Sequence, residues 1–552
     1  MTKEIYLGKI LKNVETKLTK GLSDFKIATK DLGQQILVLG DSPVQNGRLC
    51  KVLMEELSKS GEKIVAFDSE GILPSYGLIF PDLQPEDFAK WVLLDSDDDY
   101  IDLEAIETSS RFNEMMQIFG IANEELEDLL HDTFFSVITP NSDNGINVST
   151  GIFDVNFSKL KHFAKAIIYS LVSCLYSDDS ISTYEEEINF VKLTFEFIKK
   201  FKLEVSNYPK TKDFLRELEE NVDKFPGSKD VKLKVIETLL KFIKDSAQVL
   251  FEGIPLNFKD IFSKQSKKNQ VMIFSLVHIE DMFFKNLFIM KAFHQLFNFA
   301  LDNPEKKISI FLNFPDEILF FKEFLKGISA IKDLKIKNVR LILSSSSYKN
   351  LSSLDLSKPS HIFISKIGSE IANNSLSKEF NFSSTLLSEI KEQQFVYIKS
   401  GKVVSLLFPR IPYSYHRILE SFEIARLLKE DTRNLFEQLY RKLDDIKDKY
   451  PELQKKKIGI LIIENGPYRG KDVIIDKDEV VIGRYEIYPQ NKLISRKHFK
   501  IHREGSNFVI IDNSVNGVFI NGRRITQATL KERDTIVLGR NEVSLYFEEK
   551  EI

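Results

Sequence analysis

From residue 458 to the end of the chain, short apolar runs recur about every ten residues: 458–463, 473–475, 480–482, 499–502, 508–511, 518–520, 535–537 and 543–547. Turn pairs punctuate them, at Asn465-Gly466, Glu504-Gly505, Asn516-Gly517 and Asn521-Gly522. Strands this short and this regularly spaced, with glycine turns between them, predict an all-β sandwich. The charged run Gln454-Lys455-Lys456-Lys457 just before it reads as a solvated joint, which puts a domain boundary at 452–457 and a module at 458–552.

The preceding residues follow different rules. Residues 36–39 form a continuous apolar run, the mark of a strand buried on both faces. A polar loop follows, then helical spacing over 49–57 and a second strand at 63–67. Strand, helix, strand implies a parallel sheet. Similar runs return at 271–276, 308–312, 339–343 and 361–364, with helical patterns at 287–301 and 317–328. Residues 395–398 and 403–408, split by Ser400-Gly401, predict a closing hairpin. Between the two sets of strands, residues 160–176 suit a buried helix. Ile188, Val191, Phe195 and Ile198, and later Val231, Val235, Leu239 and Phe242, make amphipathic stripes whose simplest use is core packing. The expected plan is an α/β unit over 1–410 with a helical insertion at about 155–250. A helical connector and linker at 411–457, including a helix or helical pair over 415–450, leads to the β module.

Composition narrows the functional classes. At 552 residues the chain is too long for one core. Lys plus Arg number 77 against 81 Asp plus Glu, a net charge of −4 that argues against non-specific nucleic-acid binding without excluding a local basic groove. Two cysteines, Cys50 and Cys174, exclude a disulfide framework and a zinc site built on paired cysteines. Residues 1–20 alternate lysine with apolar positions, so no signal peptide is expected, and no apolar run reaches the ~20 residues of a membrane span. A cytoplasmic protein is the expectation.

Polar residues cluster at the predicted strand ends and loops of the β module: Gly483-Arg484, then Ser495-Arg496-Lys497-His498, then Ser514-Val515-Asn516-Gly517, then Asn521-Gly522. In these four ordered motifs the module resembles the forkhead-associated (FHA) domain. The resemblance covers about a sixth of the chain and implies binding of a phosphothreonine on a partner protein. A phosphothreonine carries about −1.5 to −2 charge and three acceptor oxygens. The resemblance implies that Arg484 pairs with the phosphate, Ser495 donates its hydroxyl to it, Arg496 adds a second positive contact and Asn516 holds the adjacent peptide backbone. His498 is expected to shape the Ser495 loop. Gly483, Gly517, Asn521 and Gly522 are expected to serve turns and packing. One departure is Val515, which stands where the family often has a threonine that can hydrogen-bond.

The N-terminal part resembles the HerA/FtsK-type RecA-like ATPases in layout. The tract 40–49 lies between a buried strand and a helix, where a phosphate-binding loop would sit. Its residues depart from the pattern. Six residues separate Gly40 from Gly47, Arg48 stands at the lysine position, and Leu49 replaces the hydroxyl that would hold magnesium. Asn313 and Phe314 occupy the positions of the magnesium-binding Asp and the water-activating Glu, with Asp316-Glu317 following behind Pro315. The sensor pair is replaced within 344–347. Only 39 residues precede Gly40, too few for the β-barrel that often opens such chains. The expectation is a catalytically inactive, ATPase-like domain with no metal and no catalytic residues. Nucleotide binding without turnover through Gly40, Gly47 and Arg48 stays open.

Together these features predict a phosphothreonine-dependent binding scaffold, with ATPase-like subunits of an oligomer as further partners and no membrane partner. Two alternatives remain: an ATP-driven DNA or protein translocase of the HerA/FtsK type carrying an FHA targeting domain, and a structural interaction protein with a silent FHA domain.

Overall fold

A computed structural model describes residues 3–13, 23–89, 91, 98–140, 148–150, 167–172, 185–200, 218–245, 254–263, 269–277, 279, 281–314, 336–346, 359–380, 382–383, 386–387, 390–419, 421–424, 427, 457–475, 479–504, 507–539 and 543–551. The expected helix at 317–328, most of the one at 415–450, the linker lysines 455 and 456, Asp316, Glu317 and Cys174 lie outside these residues. The chain divides into two compact units, Met1–Pro81 with Glu114–Leu439, and Asp82–Asn113 with Tyr440–Ile552.

The first unit is built on an eleven-stranded sheet. Its strands are β1 (Glu4–Asn13), β2 (Ser23–Ala28), β3 (Gln35–Leu39), β4 (Lys63–Asp68), β5 (Thr133–Ile138), β8 (Asn269–Ser275), β9 (Ile308–Phe314), β10 (Val339–Ser345), β11 (His361–Ile364), β12 (Phe395–Lys399) and β13 (Lys402–Pro409). A separate two-residue pair is formed by β6 (Val148–Ser149) and β7 (Ile254–Pro255). The spatial order is β2-β1-β13-β12-β11-β3-β10-β9-β4-β8-β5. From β11 to β5 every neighbour is parallel, and from β11 to β2 every neighbour is antiparallel. The centres of the parallel strands are largely apolar because both faces are covered. All six residues of β5 and all seven of β8 are buried. This is the expected α/β architecture, extended by a hairpin, β1–β2, that sequence periodicity did not reveal. The 39 residues ahead of Gly40 add two antiparallel strands to the sheet edge.

Helix α1 (Pro43–Lys59) follows β3. Ser42 caps it, its Oγ accepting the Gln45 amide at 3.3 Å, and Pro43 supplies a preset first turn. Leu49, Val52, Leu53 and Leu57 are buried on it, each worth roughly 1.5–3 kcal/mol of apolar burial. The expected polar loop over 40–48 is therefore corrected. It ends at Ser42, and Gly47 and Arg48 lie inside the helix. The cause is local: a Ser-Pro pair starts a helix more strongly than the glycine at 47 can delay it. In the insertion, the two amphipathic stripes fall on the helices Glu185–Lys200 and Lys229–Asp245.

A buried charge cluster locks α1 to the chain after β13. Arg410, 0% exposed, donates to Glu55 and Glu56 at 3.0 Å each. Glu55 also accepts the amides of Tyr413 and Ser414 at 3.0 and 3.2 Å. Buried charges need this degree of pairing to offset their lost hydration.

The second unit contains the predicted sandwich. One sheet holds β14 (Lys457–Ile463), β15 (Asp472–Ile475), β19 (Val518–Ile520), β20 (Arg523–Ile525), β22 (Thr535–Leu538) and β23 (Val543–Glu551). The other holds β16 (Glu479–Ile482), β17 (Phe499–Glu504), β18 (Asn507–Asp512) and β21 (Gln527–Thr529). All pairs are antiparallel. Alternate residues point inward, among them Leu461, Ile463, Phe499, Ile501, Phe508, Ile510, Ile536 and Leu538, and form one core. Strands β20 and β21, three residues each and mostly polar, carried no sequence signal.

Candidate functional site

Three loops meet at one tip of the sandwich. The first follows β16, the second precedes β17, and the third joins β18 to β19. Hydrogen bonds tie them together. The Arg484 amide donates to the Ser495 carbonyl at 3.1 Å, and the Val515 amide reaches Ser495 Oγ at 3.4 Å. Asn516 Nδ2 donates to the Leu493 carbonyl at 2.8 Å.

His498 is the central pin. It is 0% exposed, and its Nδ1 accepts the Ser495 amide at 2.9 Å. A nitrogen that accepts carries no proton, so the ring's hydrogen is on Nε2, which lies 3.3 Å from the Gly517 carbonyl. Burial holds the ring's pKa below its ordinary value and keeps it neutral. Gly483 lets the first loop approach the second, since a Cβ there would lie 1.5 Å from the Arg496 carbonyl oxygen. Gly517 has φ +87° and lies beneath the Arg524 guanidinium.

Sequence reading missed Asp512. Its Oδ1 accepts the Ser514 amide and hydroxyl at 2.8 and 2.6 Å, and its Oδ2 accepts the Val518 amide at 3.2 Å. Ser514 Oγ in turn accepts the Gly517 amide at 2.8 Å. The aspartate at the end of β18 thus shapes the third loop. The signal for it was an acidic residue two positions before a serine, an Asx-turn pattern. Asn521 and Gly522 form a two-residue hairpin turn, both at positive φ, and Asn521 also binds Asp534 and Thr535.

A family model for the FHA domain matches residues 480–539. The C-terminal sandwich is an FHA domain. Solved structures similar to this chain include the FHA domain of an Arabidopsis thaliana hypothetical protein, at 28% identity over 17% of this chain and 85% of that one, TM-score 0.15. Another is the yeast Dun1 FHA domain in complex with a doubly phosphorylated (pT) peptide derived from Rad53 SCD1. It is 27% identical over 18% of this chain and 79% of that one, TM-score 0.15. VirB4 of Thermoanaerobacter pseudethanolicus is similar at 12% identity over 74% of this chain and 97% of that one, TM-score 0.44. Among curated proteins, none matches the chain significantly.

Within the FHA domain the polar groups differ in access. Ser495 and Arg496 are partly exposed at the tip, while Arg484 is only 2% exposed, its guanidinium carbon 5.3 Å from the Tyr485 ring centroid. Asn516 donates an amide hydrogen to the Leu493 carbonyl, and among the described residues its carbonyl oxygen accepts no hydrogen bond. Val515 is 85% exposed beside Ser495.

The strand ends of the first unit form a second polar place. Gly40, at φ +153°, lies against Ser365, and the buried Asn46 side chain donates to the Gly40 carbonyl at 2.8 Å. The Gly40 amide donates to Ser345, the Asp41 amide to Lys366, and those of Gln45 and Asn46 to Ser42. Pro43 has no amide hydrogen. The Asp41 carboxylate accepts the Gly368 amide. Gly47 packs on Ile72, where a Cβ would come within 2.5 Å. Among the described residues Arg48 Nε and Nη2 are buried without a partner, and burial lowers the Arg48 pKa to about 10. The register of β4 with β9 sets Asp68 opposite Asn313, whose Nδ2 donates to Asp68 at 2.7 Å. Burial raises the Asp68 pKa to about 6. Leu49 is fully buried. Leu49 and Asn313 thus bring neither a hydroxyl nor a carboxylate to this place. Among the described residues no cluster of three or more His, Cys, Asp or Glu could hold a metal, and no helix is long and apolar enough to cross a membrane.

Proposed function

We propose that the chain is a phosphothreonine-dependent binding scaffold whose α/β domain does not hydrolyse nucleotide. The observation that carries this reading is the pinned tip of the FHA domain, where Ser495, Arg496, Arg484 and Asn516 come from three loops, two of them joined by His498 and the third tied to them by the Arg484 amide. Ser495 Oγ accepts the Val515 amide and keeps its own hydrogen for a phosphate oxygen. Arg496 supplies charge at the rim. Arg484 completes the clamp when its guanidinium swings from beside Tyr485, so peptide binding is coupled to a local rearrangement. The Asn516 carbonyl oxygen accepts a peptide amide next to the phosphoresidue. Charge-assisted bonds contribute roughly 1.5–3 kcal/mol each, so two or three decide between a phosphorylated and a bare peptide.

Two features support an inactive α/β domain. Four of the amides that would cradle a phosphate, those of Gly40, Asp41, Gln45 and Asn46, are bonded within the protein, and a carboxylate, Asp41, stands beside the start of α1 where the anion would lie. Asn313 bonds Asp68 in place of a metal-binding acid.

The test is titration of the full chain with phosphothreonine peptide libraries and their unphosphorylated copies. The expected result is binding that needs the phosphate and weakens at least tenfold in Arg484→Ala and in Ser495→Ala, with folding checked by circular dichroism. Equal affinity for both peptide forms overturns the scaffold reading. ATP turnover above background, lost on Arg48→Ala, overturns the inactive domain and favours the translocase.

A further inference from the structure

The end of the large sheet opposite Gly40 carries a second charged feature. Where α1 ends and β4 and β9 begin, a cavity of about 510 Å³ opens. Five lysines line it: Lys3, Lys30, Lys63, Lys306 and Lys307. They come from four separate stretches of chain, so only the fold gathers them.

Their surroundings offset them only in part. Two carboxylates share the cavity, Glu62 and Glu305. Glu62 is already committed: Arg340 Nη1 donates to its Oε1 at 2.6 Å and Ser309 Oγ to its Oε2 at 2.5 Å. Among the described residues, none of the five ammonium groups forms an ion pair. Lys3 Nζ donates to the Ser60 carbonyl at 2.9 Å, which answers the negative end of α1. Lys63 donates to Gln270 Oε1 and lies 4.9 Å from the Phe262 ring centroid, and Lys306 lies 5.3 Å from that of Phe299. Lys30 and Lys307 are solvent-exposed. Like charges gathered in a concavity repel one another and raise the local concentration of anions.

We propose that this cavity is a binding site for a compact ligand with several closely spaced phosphate groups. Lysine ammonium groups act as mobile point charges, suited to phosphate oxygens in varied positions. The volume lies in the range of small-ligand sites. A nucleic acid would need an extended basic strip, and the chain as a whole is acidic at −4. The state of Lys63 agrees with this assignment. Burial and the Lys306 charge lower its pKa to about 8, so an arriving anion would draw a proton onto it near that pH.

The probe is inorganic tripolyphosphate, titrated calorimetrically into the full chain at pH 8 in buffers of different ionisation enthalpy. Binding is expected with proton uptake and with weakening as salt rises. Lys30→Gln with Lys307→Gln, both solvent-exposed and safe for folding, should weaken it at least tenfold. Lys26→Gln, a surface lysine outside the cavity, should leave it unchanged. Arg484→Ala should also leave it unchanged, which separates this site from the FHA tip. No binding at millimolar tripolyphosphate overturns the proposal. So does binding indifferent to the paired lysine change, or binding of a single-stranded oligonucleotide in its place.

Discussion

His498 receives the Ser495 amide on Nδ1 at 2.9 Å while its other nitrogen faces the Gly517 carbonyl, so one neutral ring joins two recognition loops. Protonation of Nδ1 would break the first bond. Because burial depresses the folded pKa below 6.5, the unfolded chain takes the proton first. The stability this ring gives is full above about pH 6.5 and is lost as pH falls through the folded pKa. Denaturant titrations of the sandwich should show midpoints falling between pH 7 and 5 in the native chain. In His498→Ala that pH slope should shrink, with about 2–3 kcal/mol lost at pH 7 from the two unmet partners and the cavity.

Two glycines should respond differently to alanine. At Gly483 the new Cβ would meet backbone, 1.5 Å from the Arg496 carbonyl oxygen, so the loops must part. A loss of about 2–4 kcal/mol and of phosphopeptide binding is expected. At Gly522 there is open space but φ is +79°, so only the backbone preference is lost, about 1 kcal/mol, with binding retained. Chemical denaturation and peptide titration of both variants check this.

Val515→Thr tests the departure noted in the third loop. The side chain is solvent-exposed, so stability should stay within about 0.5 kcal/mol. The added hydroxyl beside Ser495 should tighten phosphopeptide binding about three- to tenfold, read by titration.

Asn313→Asp tests the pairing of β9 with β4. The new carboxylate would face Asp68, whose pKa is already about 6 against an ordinary 3.8. A raised acid pKa gives stability that is present at low pH and lost as pH rises through the folded value. Two facing acids push that window higher. The variant should therefore lose more stability at pH 7.5 than at pH 5, and ATP turnover should stay at background.

Arg410→Met removes the cation from between Glu55 and Glu56 and leaves both carboxylates buried. A loss of about 3–5 kcal/mol is expected, seen as a lower unfolding midpoint of the first unit, with phosphopeptide binding retained.

Period and punctuation made most strands legible. The runs at 361–364 and 518–520 coincide with β11 and β19, most others differ by a residue or two at the ends, and 543–547 falls four residues short of the end of β23. Strand β5 was missed because Thr133–Ile138 follows directly on the helix Asn123–Asp132, with no turn residue to mark it. The start of α1 was placed too late because Asn46, Gly47 and Arg48 read as a polar loop. In the fold Asn46 and Gly47 turn toward the strand ends, where a side-chain amide and a missing Cβ are both needed.

What the sequence by itself determined is local: which stretches alternate, which stay apolar, and where a pair such as Asn521-Gly522 between two strands makes a turn. It also supplied the four ordered motifs of the FHA tip. What only the tertiary structure decided are the encounters between distant residues: Arg410 with Glu55, Asp68 with Asn313, the Asp512 loop brace, and five lysines around one cavity. Periodicity reports which face of a strand or helix is dry. It carries no information about which charge, hundreds of residues away, will lie against it once that face is buried.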